Sequence, residues 1–168
     1  MNTCQQPPAK AGTRGTASPL YSVKAVKFFK GHEGHGFNLK LYRDEMFVAD
    51  CINQGDGGQG YNGFTTRDEK ARFAAYCASL PRRSFDPQLE ASGDYQPDED
   101  TVLEDLAIEF EMNQKLRRLC KTKTVFRLVG QRAGEFFHIP GTGKEVEARI
   151  RKQHGDKLQE ICNQRFKA

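Results

Sequence analysis

The sequence contains no tryptophan, and no apolar run approaches the roughly 20 residues that a membrane-spanning helix requires. The first residues also lack the apolar segment of a secretory signal peptide. Only 37% of the residues are hydrophobic and the mean hydropathy is −0.73, so much of the chain must be solvated. We therefore expect a cytoplasmic protein with no membrane partner.

Closely spaced cysteines are also missing. The five cysteines lie far apart, their number is odd, and no Cys-x-x-Cys motif occurs. A disulfide framework or a zinc finger would need closer spacing. We therefore expect reduced thiols, and the cysteine pattern predicts no cofactor.

Two adjacent segments each lack one sign of charge: the first has no basic residues and the second has no acidic residues. Residues 86–111 contain ten acidic residues and no Lys or Arg, whereas residues 112–134 contain seven basic residues and no Asp or Glu. Part of this separation has a structural reason, because acids near the start of a helix and bases near its end complement the helix dipole. The part of the charge separation that the helix dipole does not explain predicts an acidic loop at 82–99 and a polarised surface that meets a partner.

The hydrophobic periodicity of the first half predicts an antiparallel meander. Val, Phe and Leu residues alternate with polar ones, or form short runs, at 22–30, 36–43 and 46–53, and the turns between these strands are short. Twelve Phe and five Tyr residues argue against wholesale disorder. Residues 1–20 hold little that could be buried, so we expect a disordered tail followed by a single domain at 21–168.

The remainder of the chain predicts helices and a hairpin. Thr66 and Glu69 match a capping box, so a helix should begin there and end before Pro81. A broad apolar stripe predicts a core helix at 100–120. A β-hairpin around a glycine-containing turn should follow at 124–139, and a last helix should begin with a second capping box at Thr142.

This last helix should break at Gly155 and then continue through Leu158 and Ile161 on its apolar side. Because strands and helices cluster by type along the chain, the predicted fold class is α+β. Its order is a three-stranded meander, two helices, a β-hairpin and a C-terminal helix.

A short histidine-containing turn is a candidate metal site. His32, Glu33 and His35 lie within four residues of one another, and Asp50 and Asp56 are available to complete a set of ligands. Imidazole and carboxylate groups are ordinary ligands of divalent transition metals. The glycines of this segment exclude the helix that normally places two such histidines on one face, so a solvated surface turn is the favoured interpretation.

Two glycine-containing segments resemble phosphate-binding loops. The glycines at 54–63 match the spacing of a dinucleotide-binding loop, but the preceding strand is predicted to be antiparallel, so phosphate contact is a minority hypothesis. Residues 141–144 end in Gly-Lys, but Glu145 replaces the hydroxyl that would bind magnesium. We therefore reject an ATPase.

Basic residues form the candidate binding surface. Lysines and arginines on the meander, the core helix and the hairpin could contact a phosphate backbone or a partner protein. The candidates are Lys27, Lys30, Lys40, Arg117, Arg118, Lys121, Lys123, Arg127 and Arg132. Four aromatic residues lie among the basic residues and could stack on bases if they are exposed: Phe28, Phe29, Tyr42 and Tyr61.

Several short segments carry a resemblance to other proteins. The run at 29–34, followed by Leu-Tyr-Arg-Asp at 41–44 and Gly-Asp-Gly-Gly at 55–58, resembles the opening of small uncharacterised proteins encoded by phages and plasmids. The run at 119–128 is similar to their C-terminal part. The resemblance carries no established activity, but it implies an accessory protein of a mobile element, such as an inhibitor of a host defence system.

From these patterns we expect a small non-enzymatic binding protein. Its target would be nucleic acid or a host protein that handles nucleic acid, and the sequence leaves open which. The alternative is a metal-dependent hydrolase or nuclease that uses the loop of His32, Glu33 and His35. The sequence does not indicate the oligomeric state.

Overall fold

The computed structural model describes residues 20–84, 93–132 and 134–166. These residues form an α+β fold, as the periodicity predicts, with a four-stranded antiparallel sheet, a short two-stranded ribbon, a three-stranded sheet and three α-helices. The predicted disordered tail lies outside the described residues except for Leu20, and so does the middle of the predicted acidic loop at 82–99. No helix in the described ranges is both long and apolar enough to cross a membrane.

The first sheet contains the three predicted strands and one more. Its strands are β1 (Tyr21–Lys30), β2 (His35–Arg43), β3 (Met46–Asn53) and β4 (Tyr61–Phe64), paired in that order. The prediction of an unbroken loop at 54–63 was wrong, because β4 begins inside it. The strand is short and contains a glycine, so its sequence carries little strand signal.

Two helices follow the first sheet, and their starts are capped by side chains. Helix α1 (Arg67–Ser79) begins after Thr66, whose hydroxyl accepts from the amide of Glu69 at 3.1 Å, as predicted. The second half of the predicted box is wrong, because the Glu69 carboxylate instead accepts from Arg43 Nε and Nη2 at 3.0 and 2.8 Å. This ion pair ties α1 to β2.

The segment between the first two helices is more ordered than a plain loop. Strands β5 (Arg83–Ser84) and β6 (Asp94–Tyr95) pair with each other, so the prediction of an irregular loop was wrong at both of its ends. Helix α2 (Glu99–Leu119) follows, and the Asp98 carboxylate caps it by accepting from the amide of Thr101 at 2.8 Å. Asp98, one of the acids of this segment, therefore has a local folding role.

The second sheet is built on the predicted hairpin. Strands β7 (Lys123–Leu128) and β8 (Phe137–Pro140) form it, and helix α3 (Lys144–His154) follows. The predicted cap was wrong, since Gly143 precedes the helix with φ of 124° and no side chain caps it. The predicted break at Gly155 is confirmed by a 3₁₀ turn at Gly155–Lys157.

The chain after this turn departs from the prediction. Strand β9 (Leu158–Ile161) pairs with β7, giving the order β8-β7-β9, and a 3₁₀ helix at Cys162–Phe166 comes last. The helical interpretation of Leu158 and Ile161 was therefore wrong. Without β9, the second edge of β7 would lack backbone partners, and this long-range pairing outweighs the local apolar spacing.

Helix α2 contributes to two separate parts of the core. Its first half buries Val102, Leu103 and Ala107 against the first sheet and α1. Its second half buries Leu116 against Val125 and Cys162 beside the second sheet. A further cluster on the second sheet centres on Phe126, Ile150 and Ile161. One helix thus joins the two sheets.

Candidate nucleic-acid interface

The two faces of the first sheet have different surroundings. Strand alternation turns Val23, Leu39, Leu41 and Cys51 toward α1 and α2, where they are buried. The intervening side chains point the opposite way, and no described helix packs on them. We call this surface the outer face; its residues are Ser22, Lys24, Lys27, Phe29, Gly36, Asn38, Lys40, Tyr42, Phe47, Asp50, Ile52, Tyr61 and Gly63.

The strand register arranges the outer face in four rows. Successive rows lie two residues apart along β2, about 7 Å, so the four rows extend over roughly 20 Å. In order along β1, the rows are Ser22-Tyr42-Phe47, then Lys24-Lys40-Asp50-Gly63, then Lys27-Asn38-Ile52-Tyr61, and finally Phe29-Gly36. Aromatic rings therefore lie on both sides of a central band that carries the lysines.

Two aromatic rings on this face are supported by glycines. A Cβ atom added to Gly36 would lie 2.7 Å from Cζ of Phe29, and one added to Gly63 would lie 3.3 Å from Cε1 of Tyr61. Each ring therefore lies against bare backbone on one side. The other side remains accessible, since Phe29 is 39% and Tyr61 is 70% exposed. Such rings can stack on nucleobases.

Lysine side chains lie over or beside the aromatic rings of this face. Lys24 Nζ lies 4.4 Å from the centroid of Tyr42, and its hydrogen bond to Glu45 raises its pKa. Lys40 Nζ lies 5.0 Å from the centroid of Phe47 and 3.1 Å from Oδ1 of Asp50. These ammonium groups can contact a phosphate backbone without leaving the aromatic surface.

A bulge in β1 opens a cleft in the middle of the outer face. The register shifts between Lys24 and Lys27, and Ala25 takes a positive φ of 53°. Beside the bulge is a cleft of about 290 Å³. Its lining includes Ala25, Lys27, Asn38, Lys40, Asp50 and Ile52. Lys27 forms no ion pair with the residues that the structure describes.

The predicted metal ligands have other surroundings. The Glu33 amide donates to the Gly55 carbonyl at 2.9 Å, which joins the β1–β2 turn to the glycine-rich loop. Asp56 accepts from the amide of Gly58 at 3.0 Å, and Asp50 pairs with Lys40. Asp50 is opposite Lys40 in the register, five residues along β2 from His35, which places it roughly 16 Å away.

Across the described part of the chain, no three His, Cys, Asp or Glu side chains are grouped so that they could hold a metal ion. His32 and His35 are exposed and lie at the turn. The metal-dependent alternative and its set of His32, Glu33, His35, Asp50 and Asp56 stay a prediction. The geometry adds no observation in its favour.

The glycine-rich loop has a packing role. A Cβ atom on Gly31 would lie 2.6 Å from the Gly55 carbonyl oxygen, and one on Gly55 would lie 2.6 Å from the Gly36 amide nitrogen. Gly55 also has a positive φ of 66°. These glycines let the β1–β2 turn and the β3–β4 loop approach at backbone distance, which accounts for their presence without a phosphate.

The basic candidates from the second half of the chain lie away from the outer face. Arg117, Arg118 and Lys121 are at the end of α2, and Lys123 and Arg127 are on β7. Arg127 is half-buried, with its guanidinium 5.6 Å from the centroid of Phe136 and its Nη2 donating to the Arg132 carbonyl at 3.3 Å. The nine predicted basic residues therefore occupy separate regions.

Only Lys27 and Lys40 of those nine belong to the outer face. Lys30 ends β1 opposite His35, beside the turn. Arg117 and Lys121 line a groove of about 700 Å³ with Thr142, Gly143 and Glu147. A carboxylate lies among these cations, and the groove has little aromatic surface, with Phe166 its only ring among the described residues.

Buried cysteines are not nucleophiles at neutral pH. Burial raises the pKa of the Cys51 thiol to about 12, and the pKa values of Cys77 and Cys162 to about 11 each. The reactive form of cysteine is the thiolate, which is scarce when the pKa is this high. The described cysteines are free thiols.

Comparison with known proteins adds no assignment: the chain matches no known protein family, no curated protein and no solved structure. The resemblance to phage and plasmid proteins therefore stays a prediction.

The outer face includes two residues, Asn38 and Phe47, that are not among the residues predicted from the sequence to bind a partner. The alternation of β2 is the signal for Asn38. Phe47 reaches the outer face through a bulge, because the β2–β3 register shifts between Leu41 and Tyr42, and the sequence does not signal that bulge. Phe28 was selected, but it lies opposite buried Phe37 on the helix-covered side.

Proposed function

We propose that the protein is a non-enzymatic binding protein for single-stranded nucleic acid and that the outer face is its binding surface. The observation that carries this proposal is the pair of exposed rings, Phe29 and Tyr61, each lying against a glycine beside a band of lysines. Base stacking on such rings contributes about 1–3 kcal/mol per base and tolerates any sequence.

The shape of the surface favours single strands over duplex. A four-stranded sheet is too broad to enter a groove of B-form DNA, which admits one helix or a two-stranded ribbon. In a duplex the base faces are stacked on one another, whereas a single strand can place them on protein rings. Lys27 and Lys40 would contact the phosphates that pass between the stacked bases.

The test is fluorescence anisotropy with labelled oligonucleotides of about eight nucleotides, in DNA and RNA form, single-stranded and duplex. We expect single strands to bind more tightly than duplex, with affinity that falls as salt increases. Tyr61→Ala should weaken binding by roughly tenfold, because one stacking contact is lost, while Tyr61→Phe keeps the ring and most of the affinity.

Phe137→Ala is the matched control, since Phe137 is an exposed aromatic on the second sheet. It should leave binding unchanged. Equal affinity for duplex and single strand, or equal loss in Phe137→Ala and Tyr61→Ala, would contradict the proposal. Absence of binding at low salt would contradict direct binding of nucleic acid and leave the other predicted target, a host protein that handles nucleic acid.

The association with a mobile element belongs to this proposal as its biological setting. It rests on the predicted resemblance of the segments at 29–34, 41–44, 55–58 and 119–128 to phage and plasmid proteins. A protein that covers exposed single strands would suit an accessory role, because such strands are produced when an element replicates or transfers. The cytoplasmic location is part of the same proposal.

A further inference from the structure

We infer that the cleft beside the β1 bulge recognises guanine within the bound strand, with Asp50 as the residue that determines this specificity. The inference rests on the proposed binding of single-stranded nucleic acid and adds a base preference to it. Asp50 is the one acidic residue among the residues that define the outer face.

Asp50 is placed where it opposes phosphate binding. It lies in the second row of the outer face, the one that begins with Lys24, between Lys40 and Gly63. Its side chain is 59% exposed. A carboxylate there repels a phosphate backbone and neutralises one of the few lysines. Its exposed pair with Lys40 contributes little to stability, whereas an exposed carboxylate within a stacking surface can accept hydrogen bonds from a base.

The neighbouring groups supply the remaining contacts. The Asn38 amide and the Lys27 ammonium lie in the adjacent row, and Asn38 makes no side-chain hydrogen bond with the described residues. Tyr61 and Ile52 lie in that same row. A base that rests on Ile52 or the ring of Tyr61 therefore has its edge beside the cleft, one row from Asp50.

The donor and acceptor pattern selects one base. A carboxylate accepts hydrogen bonds and donates none. Guanine offers two adjacent donors, its N1–H and its N2 amino group, and beside them the O6 acceptor. Asp50 can accept from both donors, while the Asn38 amide donates to O6. Uracil and thymine present one ring N–H between two carbonyl oxygens, which the carboxylate would repel.

The experiment compares single-stranded oligonucleotides that differ at one base. Oligo-uridine of about eight nucleotides carries uridine, guanosine, inosine or adenosine at its central position. We expect guanosine to strengthen binding by about tenfold over uridine. Inosine, which lacks the N2 amino group, should lose most of that gain with the unaltered protein.

Asp50→Asn should abolish the guanosine preference and leave binding to oligo-uridine equal or tighter, since a repulsive charge is removed. Glu45→Gln is the matched control, because Glu45 also pairs with a lysine but lies in the β2–β3 turn; its guanosine preference should persist. Binding without a base preference, or a preference that survives Asp50→Asn, would overturn this inference alone. Absence of binding to every oligonucleotide would overturn the proposed function as well.

Discussion

The buried Cys51 thiol makes the stability of the fold depend on pH in alkaline solution. Cys51 lies on β3 between the first sheet and its helices and is almost fully buried. Burial is the main reason that its pKa rises from 9.0 to about 12, and the negative charge of Asp50 adds to the effect. The folded protein therefore retains a proton that the unfolded chain releases in alkaline solution.

The free energy of unfolding should therefore fall as the pH rises from about 9 toward 12. Below pH 9 the thiol is protonated in both states, so its contribution to stability is fully present there. Cys51→Ala should reduce this alkaline loss, measured by urea unfolding at successive pH values. Cys120→Ala is the control, since Cys120 is only partly buried, and it should change the slope much less. Equal slopes for the original protein and Cys51→Ala would contradict this account.

At the scale of the element, β4 is a short edge strand whose main contribution to the outer face is Tyr61. The position of its ring depends on Gly63, two residues along the strand and on the same face. Phe29 on β1 has the same relation to Gly36 on the neighbouring strand. In both cases a glycine, which weakens a strand by itself, makes room for an aromatic side chain.

We expect Gly63→Ala to weaken oligonucleotide binding although the glycine itself offers no side chain for contact. Its φ is not positive, so alanine is tolerated by the backbone, but the added Cβ would lie 3.3 Å from the Tyr61 ring and displace it. The measurement is anisotropy with a single strand. Gly93→Ala, where a Cβ meets nothing within 4 Å, is the control. Unchanged affinity in Gly63→Ala would show that the ring position is unimportant.

Sequence reasoning succeeded for elements whose signal is local. The alternation in β1 to β3 and the Thr66 hydroxyl before α1 act within a few residues, so the pattern contains the cause. Strand β9 and the cap of α3 were mispredicted because their causes are distant. Leu158 and Ile161 extend a helical apolar pattern, but their backbone pairs with β7. The Glu69 carboxylate likewise bonds to Arg43 on another strand.

The candidate site likewise contains features that the sequence predicts and features that it does not. Alternation alone could place Lys27, Lys40 and Tyr42 in a strand, but the sequence does not say which face the helices cover. Nor does it report the bulge at Ala25, which shifts the side-chain alternation of β1 before Phe28 and Phe29. The predicted binding surface combined the basic residues of α2 and β7 with those of the meander because all carry positive charge. The packing of α2 places the residues of α2 and β7 away from the outer face.

At the scale of the whole molecule, α2 makes the two sheets depend on each other. Leu103 and Leu116 are both almost fully buried, one against the first sheet and the other beside the second. Loss of the helix would therefore remove part of both cores. All five tyrosines precede residue 96, so tyrosine signals report on the first half of the chain alone.

We expect Leu116→Ala to destabilise the protein by about 2–5 kcal/mol, as is typical when a buried leucine is truncated. The tyrosine-detected unfolding transition should shift by the same amount as the transition detected by far-ultraviolet circular dichroism, because α2 couples the halves. Val129→Ala, at an exposed position on the second half, should shift neither. A tyrosine transition that stays in place in Leu116→Ala would mean that the two sheets unfold independently.

The rings that lie against Gly36 and Gly63 have a consequence for the thermodynamics of recognition. Their rotational freedom is restricted when the chain folds, so little of it is left to lose when a ligand arrives. Immobilising a flexible side chain on association costs about 0.5–1.5 kcal/mol. For Phe29 and Tyr61 that cost falls on folding instead, so the ordering of the incoming strand is the larger entropic cost of binding.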